Sequence, residues 1–452
     1  MCHPFVRSKP VHSDLVAFGV GARGHRDDID GLRAIAVLAV VCFHLRISGF
    51  SGGFVGVDVF FVISGFLITR IVATDIEAGR FSLAQFYSRR ARRLLPAFFM
   101  TLSLSCVAAF LLFTPQHLET FAKSLTAGVF GFSNIFFWRE SGYFDLAART
   151  KPLLHTWSLS VEWQFYLVWP LLLSVLLAVF PRRMVWPITA IAIFSFCLIF
   201  EFQDGSVWLL SGTRAAEWIA DGRATVFYNT PFRAFEFACG AALVWLPRPR
   251  PEIVHELLAL LGLTIIFSTI FIFDSSSGIP AWNILPPAVG AAIVLYADRS
   301  RWIGLILRNR PVSYVGRISY SLYLVHWPLI VFWEYGIVRP LQPAEAIFIG
   351  LLSFALAILM FHVVEQPYRG GRGLVGSSRL ALAGMVSFWA ISYAMSGGMP
   401  WRLESVAAGT ELAGSVASKA ITGSLGCRDF CEFGNILSPQ KILVVGDSHI
   451  EH

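Results

Sequence analysis

Charged residues are scarce in this chain: of its 452 residues, only 14% are Asp, Glu, Lys or Arg. A soluble chain carries about 25%, so this one lacks the polar groups to cover its surface in water. The shortage does not signal disorder, because 56% of the residues are hydrophobic and the mean hydropathy is +0.64. A disordered chain has the opposite composition, and a coiled coil needs far more charge. Cysteine is sparse too. The seven present are scattered, which excludes a disulfide-stapled secreted module. Cys42, Cys106, Cys197 and Cys239 lie in apolar runs, where a thiol behaves as a small hydrophobe. Cys427 and Cys431 fall in a polar region. No internal repeat or low-complexity tract is visible, a point against a transporter built of inverted halves. Residues 1–32 also lack the apolar stretch of a signal peptide.

What the chain does have is apolar runs of about 20 residues, the length that crosses a bilayer. An all-α polytopic membrane protein is therefore expected. Lys and Arg outnumber Asp and Glu by 36 to 29, a balance that could suit nucleic acid. The basic residues, however, sit in short clusters between apolar runs, as in cytoplasmic membrane loops. The expected partner is a lipid bilayer, not nucleic acid.

Twelve runs are candidate spans, roughly 33–50, 54–72, 94–113, 122–138, 163–180, 185–202, 231–246, 254–273, 281–297, 318–336, 344–364 and 379–396. Loop charge tests the count. Basic residues cluster at Arg80–Arg93, Arg182–Arg183, Arg248–Arg250, Arg299–Arg310 and Arg369–Arg372, whereas 274–280 has none and 337–343 only Arg339. If the N-terminus is cytoplasmic and all twelve cross, every basic loop after 122–138 faces outward, against the positive-inside rule. If that Ser-, Gly- and Asn-bearing segment does not cross, the later basic loops return inside. The expectation is eleven spans, with the C-terminus outside and 122–138 re-entrant or interfacial. Such a segment is tolerated where protein covers its backbone.

Ionisable residues inside spans are costly and mark functional candidates. Arg33 and His44 are eleven residues apart in the first run, so they share one helix face about 16 Å apart along the axis. Arg33 falls at the inner boundary and His44 near mid-bilayer. Taken singly, Arg33 could be an inside anchor, and His44 could bond a neighbouring helix. The aligned pair, one member of which titrates near neutrality, favours chemistry. Asp58 lies just inside the outer end of the second run, whose glycines permit close helix approach. Arg89, Arg90, Arg92 and Arg93 stand at the cytoplasmic face just before the third. They are either an orientation signal or a phosphate clamp, for which arginine's forked donors suit better than lysine. In "KPLLHTWSLSVEWQFYLVWP" a helix starting near His155 places it on one face with Glu162, about 10 Å away along the axis. Trp157, Trp163 and Tyr166 read equally as an interfacial belt. His326 falls mid-span, and Glu365, Pro367 and Arg369 close the tenth of the eleven spans.

From Asp30 to Arg369 these segments resemble the acyltransferase-3 family of integral membrane O-acyltransferases. The likeness rests on six stretches in order: the Arg33–His44 pair, "GGFVGVDVFFVISGFLI", "RRARRLLP", "LLHTWSLSVEWQFY", "ISYSLYLVHWP" and "VEQPYR". One departure is Trp163, where many relatives carry a second acid beside Glu162. The closing "KILVVGDSHIEH" resembles the start of an SGNH-type domain, in which Ser448 would be the nucleophile.

The resemblance implies ten core helices plus one linker helix. It divides the chain into a cytoplasmic tail (1–29), the membrane domain (30–370), a linker with its helix (371–400) and a periplasmic stretch opening a truncated α/β SGNH domain (401–452). It implies transfer of an acyl group, usually acetyl, from cytoplasmic acyl-CoA to hydroxyls of an extracytoplasmic glycan such as O-antigen, exopolysaccharide or peptidoglycan. The site would be a bacterial inner membrane. On this reading Arg33 and Arg89, Arg90, Arg92 and Arg93 hold CoA phosphates. His44 is general base or transient acyl carrier, and Asp58, His155, Glu162 and His326 position the acceptor or move protons. No metal or permanently bound cofactor is expected. Only four residues follow Ser448, so its tail is expected to be inactive and disordered, as in a fragment of a longer fused enzyme. Cys427 and Cys431 are either a local disulfide, partners of cysteines elsewhere, or free thiols. The rival readings are a glycan or lipid transporter and a sensor or scaffold without catalysis; acyl-CoA hydrolysis separates the enzyme from both.

Overall fold

The computed structural model describes residues 26–140, 150–205, 221–247, 249, 251–274, 281–369 and 377–403. Every regular element among them is helical. Cys427, Cys431, Ser448 and the expected second domain lie outside the described residues. Residues up to Ser396 form one compact unit and those from Gly397 a second, of which a 3-10 turn at Pro400–Leu403 is described.

Among the described residues, six helical stretches are long and apolar enough to cross a membrane: Gly53–Glu77, Leu83–Leu112, Thr156–Val179, Val185–Phe202, Glu252–Ile272 and Pro343–Arg369. Side chains such as Leu104, Leu111, Val175, Ile193 and Leu351 stay more than half exposed along them. That surface suits lipid and not water, and the chain is a multi-pass membrane protein. In chain order the helices of the first unit are α1 (Asp27–His44), α2 (Gly56–Glu77), α3 (Leu83–Leu112), α4 (Pro115–Val129) and α5 (Ser133–Arg139). Next come α6 (Thr156–Val179), α7 (Val185–Phe202), α8 (Gly222–Tyr228), α9 (Thr230–Ala242) and α10 (Glu252–Ile272). The rest are α11 (Ala281–Tyr296), α12 (Trp302–Arg308), α13 (Arg310–Ile337), α14 (Pro343–Met360), α15 (Gln366–Arg369) and α16 (Ser377–Met395), with a π-helical turn at Phe361–Glu365.

Two helix pairs build the core. α1 lies along α13, where Gly316 meets the Asp30 carbonyl with no room for a Cβ. α2 lies along α9, where Gly65 faces Phe237 and Gly240 faces Val62 equally closely. Small residues let helix backbones approach and gain dispersion contacts in a solvent that offers no hydrophobic drive. α1 and α13 fall outside the six because they bury ionisable groups, among them Asp28, Asp30, His326 and Glu334.

The segment 122–138 contains no single crossing helix. α4 has 15 residues, about 22 Å at 1.5 Å per residue, against about 30 Å of hydrocarbon. It breaks at Gly131, whose φ of +73° favours glycine, and α5 adds only 7 residues. Protein covers the break: Gln164 donates to the Gly131 carbonyl (3.0 Å) and to Asn134 (2.9 Å), and Ser133 bonds Ser160 (2.7 Å).

Three boundaries differ from the sequence reading. α3 begins at Leu83, so the four arginines stand on its first turns and not in a preceding loop. The run at 231–246 is the second half of a broken helix. Pro231 has no N–H for the Phe227 carbonyl four residues back, and that oxygen accepts from Arg233 Nε instead, at 3.0 Å. Finally, α1 stops at His44. The ring still lies inside the bundle, opposite His326, eleven residues (about 16 Å) before the end of α13.

Candidate active site

Two cavities adjoin along α1, α2 and α3. The wider, of about 1380 Å³, is lined by eight arginines and one carboxylate, Asp30. Arg89, Arg90, Arg92 and Arg93 reach it from the first turns of α3, Arg33 from α1, Arg317 from α13 and Arg369 from α15. Three of the eight are paired with carboxylates: Arg26 with Asp28 at 2.5 Å, Arg89 with Asp75 at 3.2 Å and Arg369 with Glu365 at 2.8 Å, while Arg90 lies over the faces of Phe86 and Tyr166. Arg33 Nε is buried with no hydrogen-bond partner among the described residues. So much guanidinium charge in one hollow suits an anion with several phosphates, because each fork can take two oxygens.

Arg33, Arg90 and Arg93 also line the second cavity, of about 770 Å³, so the two spaces share a wall. This chamber has apolar sides, such as Phe60 and Phe61, and a strip of polar groups from α2, α6 and α13. Glu162 accepts from Ser64 and from Tyr166, one turn on along α6. Ser158 bonds Tyr323 at 2.7 Å, and Tyr323 donates to the His155 carbonyl at 2.9 Å. Ser319 Oγ is buried without a partner among the described residues. A buried orphan hydroxyl costs about 1–3 kcal/mol, which a bound ligand would recover.

Beyond Tyr323 stand three histidines. His44 Nδ1 is 2.9 Å from His326 Nε2. The His155 ring centroid is 6.0 Å from that of His326. Trp327 lies against His44 at 4.7 Å, its indole N–H held by the Lys151 carbonyl at 2.9 Å. His155 and His326 are buried. His155 caps the start of α6, so it and Glu162 share the face read from their spacing, with Ser158 and Tyr323 between the chamber and the rings.

The structure thus brings together Arg33, Arg90, Arg93 and Glu162 around the chamber, and His44, His155 and His326 next to it. Arg89 and Arg92 stay in the outer hollow. Asp58 goes elsewhere. It pairs with Arg233 at 3.0 Å, which also holds Glu236 at 2.9 Å, all three side chains at most 5% exposed. Trp163 does not approach Glu162's oxygens; it packs on Phe98, and Ser64 and Tyr166 partner the glutamate instead.

Ser64, Ser319, Tyr323 and Arg233 escaped the sequence reading, and Tyr166 entered it only as part of an aromatic belt. Tyr166 and Tyr323 carried a signal, four residues after Glu162 and three before His326, the spacing of neighbours on a helix face. Arg233 and Glu236 carried another, being ionisable residues in an apolar run. The two serines carried none.

Residues 26–362 match the acyltransferase domain family. The chain is 31% identical over 370 residues to the peptidoglycan O-acetyltransferase OatA of Listeria monocytogenes, covering 77% of this chain and 56% of that protein. It is 30% identical over 359 residues to the O-acetyltransferase OatA of Staphylococcus aureus, covering 75% and 57%. The matches span just over half the length of these relatives. No solved structure matches. With three-quarters of its length inside that domain, and with arginines and an acid lining two adjoining cavities that have histidines beside them, the chain is a member of the acyltransferase-3 family of acyltransferases.

Proposed function

We propose that this chain moves an acetyl group from acetyl-CoA on the cytoplasmic side toward a hydroxyl of a cell-envelope glycan on the other, peptidoglycan being the acceptor favoured by the Listeria relative's name. The observation that carries this is the shared wall between the arginine hollow and the chamber. CoA is a polyphosphate that cannot enter lipid, and the acceptor glycan cannot either. An enzyme joining them needs an anion site open to one side and a buried reaction site leading to the other. In this reading the arginines hold the nucleotide phosphates, and the arm bearing the thioester runs through the chamber, past Arg33 Nε and the orphaned Ser319 Oγ, to the histidines beyond Tyr323.

The chemistry falls to His44 Nε2. As a general base it takes the hydroxyl proton while the oxygen bonds to the thioester carbon. The C–S bond breaks, and the proton passes to the CoA thiolate. As an acyl carrier the same nitrogen bonds the carbonyl carbon first and the C–S bond breaks as thiolate leaves; the hydroxyl oxygen then bonds the acetyl carbon, the C–N bond breaks, and the hydroxyl proton passes by way of the freed Nε2 to the thiolate. Eleven crossings, with 115–139 entering and leaving on one side, put the arginines in the cytoplasm and Met395 outside. Gly446, Asp447, Ser448 and His449 would open a second domain that receives the acetyl group.

The test is CoA thiol release from acetyl-CoA by the purified full chain in liposomes, with soluble peptidoglycan fragments present. Thiol release that needs His44 supports the reading; glycan movement across the bilayer without it would support a transporter instead. Orientation is read separately. A cysteine placed at Val338 should be labelled from outside the cell and one at Arg182 should not, and the reverse pattern refutes the eleven crossings.

A further inference from the structure

The hydrogen bonds around His326 settle where two protons sit. His326 is fully buried in α13. Its Nδ1 is 3.2 Å from the carbonyl oxygen of Leu322, one turn earlier on the same helix. A carbonyl can only accept, so the proton of neutral His326 is on Nδ1 and its Nε2 carries the lone pair. That Nε2 is 2.9 Å from His44 Nδ1. With an acceptor on one side, His44 Nδ1 must be the donor.

The ring planes are 17° apart and the centroids 5.2 Å. Two nitrogens at 2.9 Å are too close for faces in stacking contact. The rings meet edge to edge, in the plane where an imidazole N–H and a lone pair lie. Trp327, itself anchored to the Lys151 carbonyl, braces His44 from the side.

We propose that His326 is a positioning residue for His44. The Leu322 carbonyl fixes the tautomer of His326, and His326 in turn holds His44 with its proton on Nδ1 and its lone pair on Nε2. The inference rests on the reading of His44 as base or acyl carrier, since either use needs that lone pair. In the other tautomer Nε2 would carry the proton and could neither accept one nor attack a carbonyl. The same contact helps again during the reaction. Once His44 is protonated or acylated at Nε2 it is a cation, and a hydrogen bond from a cationic donor is stronger than one from a neutral ring.

The test uses the full chain labelled with [15N]histidine in lipid bilayers, with the His44 signals assigned by their loss in His44→Gln. The expected spectrum has a protonated Nδ1 and an unprotonated Nε2 on His44. A protonated Nε2 in the unaltered protein overturns the proposal. Kinetics give a second arm. His326→Leu, which removes the acceptor, should lower kcat for CoA thiol release from acetyl-CoA by about 10- to 1000-fold, with KM within about twofold. His326→Gln keeps an oxygen that can accept from Nδ1–H and should recover at least about tenfold of that loss. An unchanged kcat in His326→Leu, or no recovery in His326→Gln, rejects the positioning role. If His326→Leu does not fold, the spectrum of the unaltered protein decides alone. If the unaltered protein releases no thiol, or His44→Gln releases it normally, the proposed function fails while the spectrum still reports the tautomer.

Discussion

The arginine hollow and the histidine cluster adjoin the same chamber and are built on opposite principles. The hollow is wide, its guanidinium groups stand on long stems, and Arg89 keeps 48% of its side chain exposed. The histidines are packed against Tyr323 and Trp327, and His326 has no exposed surface. A polyphosphate is bound by total charge, to which each of several arginines adds a part, so geometry can be loose. Proton transfer needs a lone pair aimed within a fraction of an ångström, so geometry must be rigid. Damage to the two regions should therefore differ in kind.

The largest effect is expected at the rigid end. His44→Ala should reduce acetyl-CoA turnover by about 10²- to 10⁴-fold with acetyl-CoA affinity unchanged, measured by thiol release and by calorimetric titration. Normal turnover would remove His44 from the chemistry. Arg233→Ala probes a third kind of site, a charge buried for structure. It strands Asp58 and Glu236 without their cation, and removing one partner of such a pair costs about 3–5 kcal/mol. The yield of folded protein and its thermal midpoint in detergent should both fall, and an unchanged midpoint would show that the cluster is not structural. The smallest effect is expected in the hollow, at one of the three arginines it shares with the chamber. Arg33→Lys keeps the charge and loses the fork, so KM for acetyl-CoA should rise by about tenfold with kcat little changed. A fall in kcat with constant KM would move Arg33 from binding to catalysis.

Much of this was legible in the sequence, for reasons that also mark where reading stopped. Helix periodicity placed His155 and Glu162 on one face because α6 is regular between them. Loop charge flagged 122–138 because arginines report on sidedness wherever they fall. The pairing of His44 with His326 was not legible. It depends on how α1 lies along α13, and no local pattern encodes that distance of 282 residues. Asp58 was singled out for the right reason, its cost in an apolar span, but cost does not say whether a charge is retained for reaction or for an ion pair. Arg233 decides that, and it sits beyond a helix break that a hydropathy window smooths over.

The π-helical turn at Phe361–Glu365 carries one more consequence. A π turn holds one residue more than the α-helix it interrupts, and each residue turns a helix by about 100°. Glu365 and Arg369 follow from that extra residue: the first is buried against Ser321 at 2.7 Å, and the second reaches into the arginine hollow. Val363, within the turn, is 61% exposed toward lipid and packs on little. Replacing it is cheap. Deleting it would restore a regular helix and swing Arg369 about a quarter-turn away from the hollow. At this point the fold depends on how many residues the segment holds more than on which side chain stands at 363.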